Sequence, residues 1–413
     1  MEKTLNINAG SAILMKENSE IFSGYDSVNI SAGSAVVSRK VYEKLAGMGI
    51  SINSGNMKII DVKGELAELP TNTVITGSMS FEGCYLMCDG NLIIEDVKGL
   101  EGITGLYAER LFHGGSVSVE GLANIEAAAR ITYPYDAKLH IGNMILDDTS
   151  RIILESGTQY WVHGSIKALS GDVLEDLQRR GIKFHCGRLI TYNGLYESCK
   201  TMFTAEKYTL IPDGYTVAGD ITLDSATSIL HGEKLFVLGD MMIPHDQVQN
   251  LKGFLSLIVK GTATMPVTAA AEFKAIGKAD SFELYEGVLL QINGVQTLGP
   301  EQCRSAIERN ISYTLKVNGV LYFTSDVTAE DMDAIAALHC NGVISAPDHA
   351  RGALDAKVTV INGTILDIDA MIKKFYGDKF TLGDNPLGAL QKLMGQIQGG
   401  QEGSSINSGN FKL

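Results

Sequence analysis

Three stretches of the chain carry carboxylates at spacings that could move protons. "LDDTSR" holds Asp147, Asp148 and Arg151, "GDITLDS" holds Asp220 and Asp224, and "ILDIDA" holds Asp367 and Asp369 alternating outward from a strand. Acid and base groups about 5–10 Å apart are what cleavage of a glycosidic bond requires. The same residues also serve as solvated groups on a surface. A sugar-binding groove would add aromatic platforms, and the chain offers one Trp, Trp161, with scattered tyrosines. The sequence has no GxxxxGK(S/T), HExxH or GxSxG motif and no GxGxxG between a strand and a helix, so phosphate binding and the familiar hydrolase sites lack local support. His245–Asp246 reads as a helix start. No catalytic residue is assigned, and the chain is expected not to be an enzyme.

Metal-ligand spacing is equally thin. Cys84 and Cys88 fall on one face of a strand in "GCYLMC", and His185–Cys186 and His339–Cys340 lie beside turns. Buried thiols pack as small apolar groups, so these cysteines are expected in the core and the histidines at the surface. No metal and no cofactor are expected.

The elements that would position any such residues come from a repeat. Glycines follow short alternating apolar stretches at Gly10, Gly33, Gly55, Gly77, Gly90, Gly121, Gly142, Gly164, Gly187, Gly219, Gly239, Gly261, Gly294, Gly319, Gly363 and Gly409. Eight of the fifteen gaps between them fall between 20 and 23 residues, a period that marks coils stacked on one another. Alternation before each glycine predicts a strand with one buried face. The glycine then turns the backbone where a Cβ would clash, often at positive φ, so Gly10, Gly33, Gly55, Gly187 and Gly261 are read as structural turns. Asparagine beside these glycines, in "NSGN", "VNG" and "ING", predicts amide ladders between stacked turns.

Some coils also carry helices. "VYEKLAGMGISINSG" (41–55) aligns with "VLEDLQRRGIKFHCG" (173–187), while Asp172 with Glu175 and Thr328 with Asp331 have capping-box spacing. "LHCNGVISAPD" shares the pattern but places Asp348 where its turn glycine is expected. The order in "ISINSGNM" resembles leucine-rich repeats, with glycine in place of the usual Asn or Cys at the turn. The fold expected is a β-rich repeat solenoid, a parallel β-solenoid or leucine-rich-repeat-like stack of about 22-residue coils with interspersed helices. Long gaps at 90–121, 187–219, 261–294 and 319–363 are expected to hold insertions, including helix-like "LANIEAAAR", "TAAAEFKAIG" and "PEQCRSAIERN".

Composition is compatible with such a stack. The 413 residues are 45% hydrophobic, with 45 glycines and 8 prolines, and the net charge is −14. That charge argues against nucleic acid as a partner. No apolar run reaches the roughly 18 residues of a membrane span, and the start of the chain does not read as a signal peptide. Six cysteines do not make a disulfide framework, so a cytoplasmic location is expected.

Three segments follow: a stacked-coil solenoid over 1–370, a helical segment over 371–398, and a flexible linker with a repeat-like strand over 399–413. In the second, Asn385–Pro386 starts a helix whose Leu387, Leu390, Leu393, Met394 and Ile397 share one face. The last segment repeats "INSGNMK" (52–58) as "INSGNFK" (406–412). Because a terminal coil exposes backbone groups, the first coil, with Leu5 and Ile7, is expected to be uncapped. Ile406, Asn407, Ser408, Gly409, Asn410, Phe411 and Leu413 are expected to dock on such a coil, on the same molecule or on a neighbour. The function expected is a structural or scaffolding protein that self-associates, its partner being itself or another protein. The alternatives are a solenoid that recognises a protein or peptide along one face and a carbohydrate-active enzyme with stacked carboxylates.

Overall fold

A computed structural model describes residues 4–16, 22, 24–115, 117, 124–367 and 403–412. The chain is built mostly from parallel β-sheets, with short helices between strands. It divides into two compact units, Met1–Ile211 with Met394–Leu413, and Pro212–Leu393.

The strands fall into five consecutive groups. The first has β1 (Thr4–Leu14), β2 (Ser27–Ser38) and β3 (Ser51–Ile60). The second has β4 (Glu65–Leu69), β5 (Thr73–Ile75), β6 (Cys84–Ile94), β7 (Gly105–Gly114) and β8 (Ile125–Tyr133). The third has β9 (Ala137–Ile141), β10 (Met144–Leu146), β11 (Gln159–Ala168), β12 (Lys183–Tyr192) and β13 (Phe203–Ile211). The second unit opens with β14 (Thr216–Ala218), β15 (Ile221–Thr222), β16 (Lys234–Val237), β17 (Met241–Met242), β18 (Ser256–Pro266) and β19 (Gly277–Tyr285). It continues with β20 (Val288–Ile292), β21 (Val295–Leu298), β22 (Tyr313–Val317), β23 (Val320–Phe323), β24 (Ile335–Cys340), β25 (Val343–Ser345), β26 (Val358–Ile361) and β27 (Thr364–Leu366). Finally β28 (Gly403–Lys412) belongs to the first sheet, in the order β28-β1-β2-β3.

Each group has its own apolar core, because alternate residues of its strands point to the same side. Leu5, Ile7, Val28, Ile30 and Val37 fill the first, closed by Val41 and Leu45 of the helix Arg39–Gly47. Val162, Ile166, Phe184 and Leu189 fill the third, closed by Val173, Leu174 and Leu177 of the helix Gly171–Arg179. Leu315, Val317, Leu321, Phe323, Leu338 and Ile344 fill the fifth. Hydrogen bonds join each strand to its parallel neighbour about one period along: Thr4 lies opposite Ser27, and Val288 opposite Tyr313.

Gly142, Gly294, Gly319 and Gly363 lie between strands, and Gly90 and Gly142 have positive φ, whereas five others mark close approach within a strand. Gly10, Gly33, Gly55, Gly187 and Gly261 all lie inside their strands, and none has positive φ. What excludes a side chain is the backbone alongside: a Cβ on Gly33 would stand 2.8 Å from Gly10 O, and one on Gly261 2.6 Å from Gly239 O. The amide ladder is present in the fifth group. Asn318 donates to Asn293 at 2.9 Å, Asn341 to Asn318 at 3.0 Å, and Asn362 to Asn341 at 3.0 Å.

Four long gaps in the glycine pattern contain whole strands rather than insertions. β7 carries Glu109 beside Gly90 of β6, and β13 and β19 carry Glu206 and Asp280 beside Gly187 of β12 and Gly261 of β18. The last gap contains β24 and β25, whose turn glycine is Gly342, while Asp348 opens the helix Asp348–Asp355. The alanine-rich stretch expected to be helical is instead strand β8 from Ile125 on, held against β7. The helices Ala270–Ile276 and Pro300–Glu308 form as expected. Thr328 and Asp331 bond reciprocally as a capping pair, whereas Asp172 makes no cap because the helix starts at Gly171 after Ser170. The helical segment expected at 384–398 lies outside the described residues, as do Asp369, Gly121 and Leu413.

Candidate docking edge

The residues proposed for assembly come together in the first sheet. β28 runs parallel to β1 with Ile406 opposite Ile7, Asn407 opposite Asn8, Ser408 opposite Ala9, Asn410 opposite Ser11 and Phe411 opposite Ala12. The match extends from Thr4–Gly403 to Ile13–Lys412. Parallel pairing with this register needs identical spacing around the central glycine in both strands, and Gly10 and Gly409 provide it. Phe411 packs half-buried against the core that holds Leu5 (3% exposed) and Ile7 (0%). β1 is therefore covered rather than bare: its open side is taken by β28 of the same chain.

The sheet has β3 at its other end. Ile30 lies opposite Ile7, and Ile52 opposite Ile30, so one row runs Ile406, Ile7, Ile30, Ile52. The repeated phrase thus occupies the two outer strands at matching rows. Two polar rungs cross the inner strands: Asn29 donates to Asn6 at 3.1 Å, and Ser51 donates to Asn29 at 3.0 Å. A shallow trough of about 690 Å³ follows the glycine row between Asn8, Ser31, Ile52, Asn53, Gly55 and Met57.

The carboxylates considered for catalysis are engaged in local structure. Asp147 caps the helix Asp148–Ile153, accepting from the Ser150 amide at 3.2 Å, and Asp148 pairs with Arg151 at 3.0 Å. Asp220 accepts from the Asp240 amide at 2.8 Å, and Asp240 in turn accepts from the Thr262 amide at 2.7 Å, one acid per coil. The Thr227 hydroxyl and the Ala226 amide bond Asp224 and hold its carboxyl below the ordinary range. Asp367 accepts from the Asp348 amide at 3.1 Å. Aspartates at these turns do the work that capping and turn chemistry assign to them.

Cys88 is buried and Cys84 half-buried. Burial pushes the Cys186 thiol up to about 11. No group of three or more His, Cys, Asp or Glu poised for a metal occurs among the described residues.

One arrangement had little sequence signal. Trp161 stacks on His163 and His185, each at 5.8 Å between ring centres, and on Tyr133 at 6.1 Å. His185 lies directly opposite Trp161 in the neighbouring strand. Aligning "YWVHG" with "KFHCG" on their glycines would set Trp161 against Phe184; a register shift between Val162 and Ser165 brings His185 opposite Trp161 instead, which is why the sequence hid the stack. Beside them, Tyr133, Tyr135, Lys138, Leu139, Ile93 and Glu95 line a cleft of about 560 Å³.

Compared with family models, with curated proteins and with solved structures, the chain finds no match. No helix among the described residues is long and apolar enough to cross a membrane.

Proposed function

We propose that this chain is a non-enzymatic structural solenoid, a cytoplasmic scaffold that self-associates, with β28 as its coupling strand. The observation that carries the reading is the residue-for-residue parallel match of Gly403–Lys412 with Thr4–Ile13. A strand that completes a sheet of its own chain also completes the same sheet of a second copy. Exchange of this kind adds no new contacts and is a low-cost route to oligomers. The engagement of the candidate carboxylates in caps and turns also favours a structural role over acid–base chemistry.

The test is light scattering with size exclusion, across a concentration series, on the full chain and on a version ending at Gln398. The full chain is expected to grow with concentration and the shortened one to stay single. Equal sizes at every concentration would overturn the reading.

The cleft beside the Tyr133–Trp161 stack favours a second reading, recognition of a protein segment through aromatic contacts. Tyr135, 75% exposed, stands at its mouth, and exposed aromatics rimmed by polar groups are what peptide-binding faces present.

A further inference from the structure

β3 pairs with β2 and, among the described residues, with no other strand. Its other side is an open parallel edge, with Asn53, Gly55, Asn56 and Met57 exposed. Open edges are normally defended by charge, because they template pairing with another chain. The strands that end the next three groups follow this rule. β8 carries Glu126 and Arg130, β13 carries Glu206 and Lys207, and β19 carries Lys278, Asp280 and Glu283. β3 has no charge from Ser51 to Met57, and β28 has none from Gly403 to Phe411. The outer strands of the fifth group, β20, β21, β26 and β27, are uncharged as well; what sets the first sheet apart is that its two outer strands carry the same phrase.

We propose that the open edge of β3 docks a second copy of this chain, which presents the open edge of its β28. The sheet then continues as β28-β1-β2-β3 followed by β28-β1-β2-β3 of the next copy. This rests on the scaffold reading, and it holds whether β28 comes from its own chain or by exchange. The two edges of a parallel sheet are different surfaces, so the contact is heterologous and builds an open head-to-tail array.

The repeated phrase names the occupant. Keeping the register of the sheet places Ile52 against Ile406 of the second copy, Asn53 against Asn407, Ser54 against Ser408, and Asn56 against Asn410. Like residues in register on parallel strands form amide ladders and close apolar rows. Lys58 would face Lys412, but it is already paired with Glu126 of β8, which offsets the repulsion.

The experiment uses the full chain, carrying Asn53→Lys with Asn56→Lys, followed by light scattering over a concentration series. Ala129→Lys on β8 is the control, an exposed position in the same row of another group's last strand. Circular dichroism and thermal melting establish that each variant is folded, and Asn56→Lys alone replaces the double variant if that does not fold. The β3 variant is expected to need at least tenfold more protein to reach half-assembly, with the control unchanged. Assembly of the β3 variant at wild-type concentrations overturns the proposal, as does loss of assembly in the control alone. If the β3 variant still assembles while the version ending at Gln398 stays single, the coupling strand stands and the β3 edge is not its acceptor. A wild-type chain that stays single at every concentration overturns both.

Discussion

Asn341 Nδ2 donates to Asn318 Oδ1 at 3.0 Å, and Asn318 Nδ2 donates onward to Asn293 Oδ1 at 2.9 Å. Asn318 thus joins three successive coils, whereas Asn362, as donor to Asn341, makes a single rung at the far end. Net contributions of about 0.5–1.5 kcal/mol per bond lead us to expect that Asn318→Ala costs about 1–2 kcal/mol and Asn362→Ala about half as much. Urea unfolding of the two variants beside wild type measures the difference. Equal losses would show that the rungs are not additive supports.

The neighbouring glycines give a sharper contrast. A Cβ on Gly319 would stand 2.0 Å from the Gly294 carbonyl oxygen, a backbone atom that has no rotamer to change. Gly294 has nothing within 4 Å of its Cβ position. Gly319→Ala is expected to destabilise by about 3 kcal/mol or more through forced separation of coils. Gly294→Ala should stay within about 1 kcal/mol of wild type. Thermal melting of the pair is sufficient, and a tolerated Gly319→Ala would refute the close-approach account of this repeat.

Acid stability follows from a buried carboxylate. Asp331 is 2% exposed, and Arg304 reaches it with Nε at 2.8 Å and Nη2 at 3.3 Å. Burial pushes Asp331 up, but the Arg304 guanidinium and the Thr328 amide and hydroxyl outweigh it and hold the carboxyl below its ordinary value of 3.8. A lowered folded-state value stabilises above the unfolded value and is lost as pH falls through the folded one. The wild-type chain should therefore lose this support only below about pH 4. Arg304→Gln removes the opposing charge, so its melting temperature should fall at pH 7 and its acid unfolding should begin at higher pH. Melting curves between pH 2 and 7 would show an unchanged acid limb if the pair contributes nothing.

The sequence showed the alternation and the amide ladder, because glycine and asparagine there are dictated by contacts with the adjoining strand. It concealed the strands whose middle residue is Glu109, Ala128, Glu206 or Asp280, since a ruler based on glycine passes over them. Three of these, Ala128, Glu206 and Asp280, sit on strands that end a group and, among the described residues, have a neighbouring strand on one side alone, and their side chains are exposed. The same oversight turned "IEAAAR" into an expected helix. Alanine favours helices in isolation, but pairing with β7 decides the matter, as strand neighbours commonly do. The repeated phrase was visible from the start. That its two copies stand on opposite edges of one sheet was not, because sequence similarity carries no record of which neighbour each strand takes. Of the carboxylates singled out, Asp147, Asp220, Asp224 and Asp367 accept from backbone amides, partners that composition does not display.

The pairing of Thr4 with Gly403 sets an order of events during synthesis. β1, β2 and β3 leave the ribosome well before the strand that covers β1, which follows about 400 residues later, a delay of about 20–80 s at ordinary elongation rates. That sheet must wait, its flank open, while four later groups emerge and fold. On a polysome, the open β1 of one nascent chain can meet the newly made β28 of another. Whether a copy seals itself or joins its neighbour is then a contest of timing, decided as each chain is made.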